Sequence, residues 1–481
     1  MKNGVEAFSV RLLRVAVVVF GIAGTLSGCS THAKRLALPR TLFYEGQLQS
    51  CREHLDKLQK GNRHDRDVAN LDLAVVDLLE GQTQQAEKRL KEVRDRFDYL
   101  EQESMTEKTV SMWTDDSVRS YAGEDYEKIL IRVYLALANL MGGGGDAESY
   151  TLQIQEKHEA IMQRLWGDAE NATSEAASSN TQPGVPPFKM QPAAATTTRY
   201  RGLPLGFYLR GMLREETHQH YDDALRSYTR ASELLPECMP LRWDMSRVQS
   251  SVHSQPGCGV IYVFAMVGRG PYKIETVERP TSDALLIADR IVSAVGPYQL
   301  PPTIAPIKVP DVVIPPSDIN SVGVRVDGQP IGPTASLADI EELAVSTFRA
   351  DRNRIVARAV ARRVIKKATV AAAKQGMSSD GLTSLGMDVA GIAWEATESA
   401  DTRCWGLLPR DIQVLRVETP SGIRSLQLSP CLSGIPVGPS RKIDIPVIDG
   451  RNTYVICWFP DARSAGQVLC SQGIVPPALA R

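Results

Sequence analysis

The stretch YLRGMLREETHQHYDDALRSYTRASELLP, residues 208–236, indicates how the first half of the chain folds. Its apolar side chains recur every three or four positions on both sides of a polar centre, which is typical of two helices joined by a short turn. Counted from Gln219, the second helix carries Ala224, Tyr228 and Ala231 at offsets of five, nine and twelve residues. A small side chain lets two helices approach closely, and the ring one turn later fills the groove beside it. The stretch therefore predicts a close-packed helical hairpin that ends at Pro236.

The same offsets occur twice earlier in the chain, starting from Gly46 and from Gly81, which are 35 residues apart. The residues at those offsets are Cys51, Leu55 and Leu58 after the first glycine, and Ala86, Leu90 and Val93 after the second. This pattern resembles the tetratricopeptide repeat (TPR), in which paired helices stack around a shared core. We expect TPR-like hairpins over residues 41–166, with a turn at the glycines 142–145, and one further hairpin over residues 201–256.

Residues 167–200 separate the predicted third and fourth hairpins. They are rich in Ala, Ser, Thr and Pro and hold almost no periodic apolar residues. Such a composition cannot bury a core, so the sequence predicts a disordered insertion here.

Residues 257–481 change in character to short β-branched runs separated by glycine and proline. These runs predict a β-sandwich-like domain, interrupted by a long helix over 335–375 and a second helix over 382–399. The fold class expected for the whole chain is therefore α+β and multidomain, with TPR-like hairpins followed by a β-rich domain with a helical insertion. The strands are predicted at 259–267, 307–314, 322–326, 412–418, 423–428, 441–447, 454–459 and 467–470.

The first residues have the layout of an export signal: basic residues, a short apolar run and Leu26-Ser27-Gly28-Cys29. The last four resemble the lipobox of bacterial lipoproteins, so we expect residues 1–28 to be a cleaved signal peptide. Cys29 would carry the lipid and residues 29–40 would form a tether. By the same resemblance, Ser30 favours the outer membrane, with the protein facing the periplasm.

The chain has 55 basic and 56 acidic residues, and its formal charge is −1. This balance gives no electrostatic reason to expect a nucleic acid as the partner. The cysteines form no C-x-x-C pair and the exported histidines are mostly scattered, so we predict neither a metal site nor a cofactor.

Seven cysteines follow Cys29, in a compartment that permits disulfides. Cys238 and Cys258 flank the passage from the last repeat helix to the first strand, so a bridge between them is one prediction. In the alternative arrangement both stay free, and the cysteines at 404, 431, 457 and 470 pair among themselves.

Two groups of residues are candidates for a ligand site or an interface. Arg354, Arg358, Arg362 and Lys366 recur at four-residue steps and would form a basic stripe on the long helix. The stripe could face an anionic lipid or glycan, and the alternative is an ordinary solvated helix face.

The second group is Asp401 with Arg403, which could form a paired hinge where the helical insertion returns to the sheet. A catalytic acid is the other interpretation, but no nucleophile or histidine accompanies Asp401 at a recognisable spacing. We therefore predict no catalytic residue and no enzymatic activity.

Taken together, the lipobox, the helical repeats, residues 268–273, the basic helix and residues 401–409 resemble an uncharacterised family of proteobacterial tetratricopeptide-type lipoproteins. The resemblance implies a scaffold in the cell envelope. The leading hypothesis is thus a lipid-anchored protein whose TPR-like groove holds an envelope protein or an extended peptide. The second hypothesis is binding of peptidoglycan or lipopolysaccharide by the β-rich domain, and an enzyme is the third.

Overall fold

The computed structural model describes residues 31–61, 63–106, 120–178, 202–296, 298–301, 304–376, 399–464 and 466–471. Cys29 lies outside these ranges, as does the predicted helix 382–399 apart from its last residue. The described chain mixes helices and strands, which confirms the α+β class. No helix among the described residues is long and apolar enough to cross a membrane.

The first half of the chain consists of helices that contact one another in sequence order, each with the next along the chain. In chain order these are α1 (His32–Tyr44), α2 (Leu48–Gly61), α3 (Arg66–Leu79), α4 (Thr83–Thr106), α5 (Asp125–Met141), α6 (Ala147–Ser178), α7 (Pro204–Glu216), α8 (Tyr221–Leu234) and α9 (Met239–Gln249).

The small residues predicted at the helix contacts are buried. Cys51, Ala86 and Ala224 have no exposed surface, and neither has Tyr228. A Cβ atom added at Gly211 would lie 2.6 Å from the Tyr228 ring, so α7 and α8 approach too closely for a larger residue at this position. The spacing seen in the sequence therefore serves close packing of neighbouring helices.

The described part of the second half contains the strands and two more helices. They are β1 (Cys258–Val267), β2 (Tyr272–Glu278), α10 (Ser282–Val295), β3 (Ile307–Val313), β4 (Ser321–Val326), β5 (Gln329–Pro333), β6 (Ala335–Asp339), α11 (Ile340–Gly376), β7 (Asp411–Pro420), β8 (Gly422–Leu432), β9 (Ile435–Pro436), β10 (Arg441–Val447), β11 (Asn452–Phe459) and β12 (Gln467–Cys470).

The strands form three sheets. The first has the order β12-β11-β1-β7-β6, the second has the order β10-β8-β4-β5 with β9 beside β8, and β2 pairs with β3. In the first sheet β1 runs parallel to β11 and antiparallel to β7.

The first sheet is covered on both faces, and alternation along β1 shows how. Tyr262 and Phe264 belong to an apolar core shared with the helices. Ile261 and Val263 instead belong to a core shared with β4, β8 and β10 of the second sheet. Successive side chains of a strand point to opposite faces, so the first sheet lies between the helices and the second sheet.

The predicted helix over 335–375 begins five residues too early. Residues 335–339 form β6, which pairs with β7, and the helix α11 starts at Ile340. Asp339 accepts a hydrogen bond from the backbone N–H of Glu342 and so stabilises the first turn of the helix. Pairing with β7 overrides the helical propensity of Ala335, Leu337 and Ala338.

The predicted disordered insertion is wrong for residues 167–178, because α6 continues to Ser178. This stretch contains several Ala and Glu residues and no proline, a composition that favours a helix. The remainder of the predicted insertion, residues 179–200, lies outside the described residues.

The predicted bridge between Cys238 and Cys258 is absent, because both residues are free cysteines. The sequence analysis expected a chain reversal between them, but the structure has the helix α9, which spans 11 residues. Such a helix carries the chain about 16 Å away from Cys238 before it can return. The cysteines of the alternative arrangement, at 404, 431, 457 and 470, are free as well.

Candidate functional site

A cavity of about 250 Å³ lies between the first turn of α5, strand β2 and the helix α11. Gly123 and Glu124 approach it from the helical half, and Lys273 from β2. Cys404 reaches it from the segment that leads into β7. The cavity thus joins parts of the chain that are far apart in sequence.

Lys273 is the cation inside this cavity. Its ammonium group forms an ion pair with Glu124, and its side chain is 13% exposed. Burial alone would lower the pKa of Lys273, but the charge of Glu124 and its hydrogen bond raise it. Lys273 therefore keeps its positive charge at neutral pH.

Arg354 and Arg358 line the cavity from α11. Both are exposed, and they lie four residues apart, so they project from the same face of the helix. Neither forms a hydrogen bond or an ion pair with another residue in the described parts of the chain. Their guanidinium groups can therefore accept an anion at this cavity without breaking a contact seen in the structure.

The rest of the predicted basic stripe behaves differently. Arg362 is buried, with 7% of its surface exposed, so the stripe is not one continuous solvated face. The backbone of Lys366 belongs to α11, but its side chain lies outside the described residues. Among the described side chains of the stripe, those of Arg354 and Arg358 line the cavity and that of Arg362 does not.

The predicted pair of Asp401 and Arg403 is present. The guanidinium donates through Nε to Asp401 Oδ1 at 2.8 Å and through Nη2 to Oδ2 at 2.7 Å. Arg403 also donates to the backbone carbonyl of His64 at 3.2 Å and lies over the ring of Tyr121. This pair fastens the chain to the helical half beside the cavity, without lining it.

Residues 400–408 run through the inside of the helical half. The backbone N–H of Trp405 donates to Glu127 Oε1 at 2.8 Å, and that of Leu407 donates to Asp72 Oδ1 at 2.9 Å. Trp405 and Leu407 are 1% and 0% exposed. Carboxyl groups on α3 and α5 therefore hold this irregular segment by its backbone.

This arrangement bears directly on the predicted binding groove. The helices contact the first sheet on the face where Tyr262, Phe264 and Trp458 lie, and they contact residues 400–408 as well. The chain's own segments thus pack against this face of the helices. Binding of an external peptide by the helices stays a prediction.

Cys404 brings a thiol to the lining of the cavity. Burial raises the pKa of its thiol to about 11. The reactive form of cysteine is the thiolate, which is scarce at neutral pH when the pKa is that high. At neutral pH the thiol of Cys404 is therefore a weak nucleophile.

A second buried polar cluster is centred on Glu215 of α7. Its carboxylate accepts hydrogen bonds from Tyr228 Oη at 2.8 Å, from Arg247 Nε at 2.8 Å and from His253 Nδ1 at 3.2 Å. Arg416 Nη2 lies 3.6 Å from the same carboxylate. Burial alone would raise the pKa of Glu215, but these hydrogen bonds and charges lower it to about 2.

We expect Glu215→Gln to destabilise the protein by about 1–3 kcal/mol at pH 7, because the amide cannot satisfy all the donors that face it. Because the pKa of Glu215 is lowered in the folded protein, its ionised carboxylate stabilises the fold at pH values above the ordinary pKa of glutamate. This stabilisation fades as the pH falls towards 2. Urea unfolding of the wild type and the variant at pH 7 and at pH 3 measures both effects.

Glu233→Gln is the matched control, because Glu233 lies on the neighbouring helix α8 with its side chain 60% exposed. It should change the unfolding free energy little at either pH. An equal loss in Glu215→Gln at both pH values would contradict the assigned charge state.

Comparison with known proteins adds no relative: no family model, no curated protein and no solved structure matches this chain. In the parts of the chain that the structure describes, no cluster of three or more His, Cys, Asp or Glu residues could hold a metal ion.

The spacing on the long helix predicts Arg354 and Arg358, but not Lys273 and Glu124, as parts of one site. Tyr272 and Lys273 begin β2, which none of the predicted strands covers. One local signal was available, since the first four residues of β2, YKIE, alternate between apolar and polar as a half-buried strand does. Nothing local shows that this strand lies beside the first turn of α5.

Proposed function

We propose that the protein is a lipid-anchored binding protein of the cell envelope whose cavity between α5, β2 and α11 holds an anionic group. The observation that carries this proposal is the pair Arg354 and Arg358, two exposed guanidiniums without a described partner at a cavity that already contains Lys273. Guanidinium groups bind phosphate and carboxylate through paired hydrogen bonds. Lipopolysaccharide offers phosphates and peptidoglycan offers carboxylates, so both classes of envelope polymer fit the chemistry.

The acidic residues at the cavity do not cancel this attraction. Glu124 is paired with Lys273, and Asp125 is paired with Arg164 at 2.6 Å. Asp351 also takes part in an interaction of its own. Among the described lining residues, Arg354 and Arg358 thus face one remaining carboxylate, Asp351. This leaves an excess of one positive charge at the cavity, although the chain as a whole is almost neutral.

The same proposal includes the arrangement of the helices and of the first two sheets. In it, the helices are a TPR-like array, and the first and second sheets form a sandwich that fills the inner face of the array. The buried small residues at repeat positions support the first part, and the apolar core between the two sheets supports the second. The array would then serve as a frame that positions α11.

We expect the double variant Arg354→Gln/Arg358→Gln to bind anionic envelope polymers at least about tenfold more weakly, because charge-assisted hydrogen bonds are lost. The full-length protein in detergent is sedimented with lipopolysaccharide in one arm and with purified peptidoglycan sacculi in the other. The polymer that binds the wild type but not the double variant is the source of the anion.

The matched control is Arg290→Gln/Arg349→Gln. It removes the same charge from two exposed residues that do not line the cavity. Binding should stay within about twofold of the wild type, apart from a small general effect of charge that salt screens. If the wild type binds neither polymer, or if both double variants lose binding equally, the proposed site is wrong.

A protein partner is the second candidate function. The observation that favours it is a set of exposed apolar side chains on α4 and α6, namely Tyr99, Leu152 and Trp166. These helices lie side by side, since Arg94 of α4 donates to Gln153 of α6 at 2.9 Å. Capture by the native lipoprotein, compared with capture by Trp166→Ala, tests whether this surface holds a partner.

A further inference from the structure

The start of α1 is fixed to the start of α3 through one buried carboxylate. His32 Nδ1 lies 3.2 Å from Asp65 Oδ1, and the guanidinium of Arg35 pairs with Oδ2 of the same residue. His32 and Asp65 are 4% and 2% exposed. The structure thus places residues 32–40, part of the predicted tether, in a helix that is held firmly against the rest of the fold.

Very little chain remains between this fixed point and the predicted lipid. Only Ser30 separates Cys29 from Thr31, which is itself buried. Consecutive Cα atoms are about 3.8 Å apart, so the Cα atom of Cys29 lies within about 7.6 Å of that of Thr31. Acyl chains on Cys29 enter the bilayer directly from this residue. A lipid at Cys29 therefore brings the start of α1 close to the headgroups.

Two more helix ends lie beside the start of α1. The helices α1, α2 and α3 are joined by short turns and contact one another in order, so successive helices run in opposite directions. The end of α2 at Gly61 and the start of α3 at Arg66 are thus at the same end of the helical half as His32. The contact between His32 and Asp65, the residue before α3, agrees with this arrangement.

These three helix ends, which we call the basic end, carry a local excess of positive charge. Residues 32–40 and 56–67 together contain seven basic and three acidic residues, although the formal charge of the whole chain is −1. No ion pair to the exposed basic side chains of this end is seen in the described parts of the chain. These side chains are Lys34, Lys57, Lys60, Arg63 and Arg66.

The charge and the position of the basic end suit an anionic membrane surface. Lys and Arg side chains near a bilayer are attracted to anionic headgroups, and this attraction fades within a Debye length of about 8 Å at physiological ionic strength. Lys34 follows Thr31 by three residues, and Arg66 directly follows Asp65, which contacts His32. The predicted lipid thus holds these cations where the field of the headgroups is strong.

We propose that the basic end lies on the membrane surface and binds the headgroups of anionic phospholipids. This inference rests on the proposed lipid anchor at Cys29, and it adds a fixed orientation to that anchor. The opposite ends of the same helices, at Tyr44, Leu48 and Leu79, then point away from the membrane.

The test is acetylation of lysines in the native lipoprotein, in detergent and in two kinds of vesicle. One kind contains phosphatidylcholine alone, and in the other one third of the lipid is phosphatidylglycerol. An uncharged reagent is used, and mass spectrometry gives the rate at each lysine. We expect Lys34 and Lys60 to react at least about threefold more slowly in the phosphatidylglycerol vesicles than in detergent, with a smaller effect in phosphatidylcholine alone. Lys88 on α4 and Lys442 on β10 are exposed and should react equally in all three.

A charge variant tests whether the basic side chains cause this difference. Arg63→Gln/Arg66→Gln leaves the reporting lysines in place and should reduce the difference between the two kinds of vesicle by at least about half. The matched control Arg290→Gln/Arg349→Gln removes the same charge elsewhere and should keep the full difference. All four arginines are exposed, so both variants should remain folded, which circular dichroism checks.

Flotation of the vesicles separates this inference from the proposal on which it rests. If the lipoprotein floats with neither kind of vesicle, the lipid anchor is wrong and so is this inference. If it floats but Lys34 and Lys60 react as fast as in detergent, or if Lys88 is slowed equally, the anchor stands and the orientation is wrong. Equal rates in the two kinds of vesicle, or an undiminished difference in Arg63→Gln/Arg66→Gln, would show that the basic end does not bind anionic headgroups.

Discussion

Replacing Trp405 by alanine is expected to lower the free energy of unfolding by about 3–5 kcal/mol, the usual cost of removing a large buried ring. Trp405 is 1% exposed, and its ring centroid lies 5.0 Å from that of Tyr134 on α5. It belongs to the apolar core in which the helices and the first sheet meet. The alanine would leave a cavity that rigid elements on several sides cannot close.

Urea unfolding followed by circular dichroism measures this loss. Trp405→Phe is the informative comparison, because the smaller ring keeps most of the packing, and the indole N–H has no hydrogen-bond partner in the described structure to lose. We expect it to cost clearly less than the alanine variant. A change below about 1 kcal/mol for Trp405→Ala would mean that residues 400–408 do not fill the helical half in solution.

Replacing Cys29 by alanine is expected to move the protein entirely from the membrane fraction to the soluble fraction or to leave it as an uncleaved precursor. The predicted lipid adds membrane affinity of about 0.8 kcal/mol for each buried methylene, and several chains make the attachment effectively permanent. Fractionation with an alkaline wash, together with the mass of the N-terminal peptide, measures attachment and processing.

Ser30→Ala is the control for this second prediction, since it changes the neighbouring residue and leaves the thiol in place. It should remain membrane-bound. Retention of mature Cys29→Ala in the washed membranes would remove the lipoprotein assignment, whatever the cavity binds.

Local patterns in the sequence identified most of the elements. The strand β10 was predicted with its observed bounds, because the run from Arg441 to Val447 lies between glycine- and proline-rich turns. The small residues Cys51 and Ala86 indicated the close helix contacts. These features depend on a few neighbouring residues, so they can be recognised without knowing the rest of the fold.

The errors arose where distant parts of the chain decide the outcome. Residues 335–339 contain good helix formers, yet they pair with β7, which lies more than 70 residues later. The burial of Arg362 likewise depends on elements packed around α11 and not on the spacing of the arginines. Tertiary contacts override local propensity in such places.

The candidate site was predicted only in part for the same reason. Arg354 and Arg358 share a helix, so their spacing indicated a common face. Lys273 and Glu124 are separated from them and from each other by long stretches of chain, and only the fold brings all four to one cavity.

The position of residues 400–408 also sets the order in which the protein can fold. The backbone N–H of Ala33 donates to Thr402 Oγ1 at 3.1 Å across a separation of 369 residues, and the contact of Leu407 with Asp72 spans 335. Contacts between residues so far apart in the sequence form slowly, and chains with many such contacts tend to fold through intermediates. During synthesis the helices emerge well before the segment that packs between them and the first sheet. Until that segment arrives, an apolar surface stays open, so the nascent protein needs a holding chaperone for longer than its helical N-terminal half would suggest.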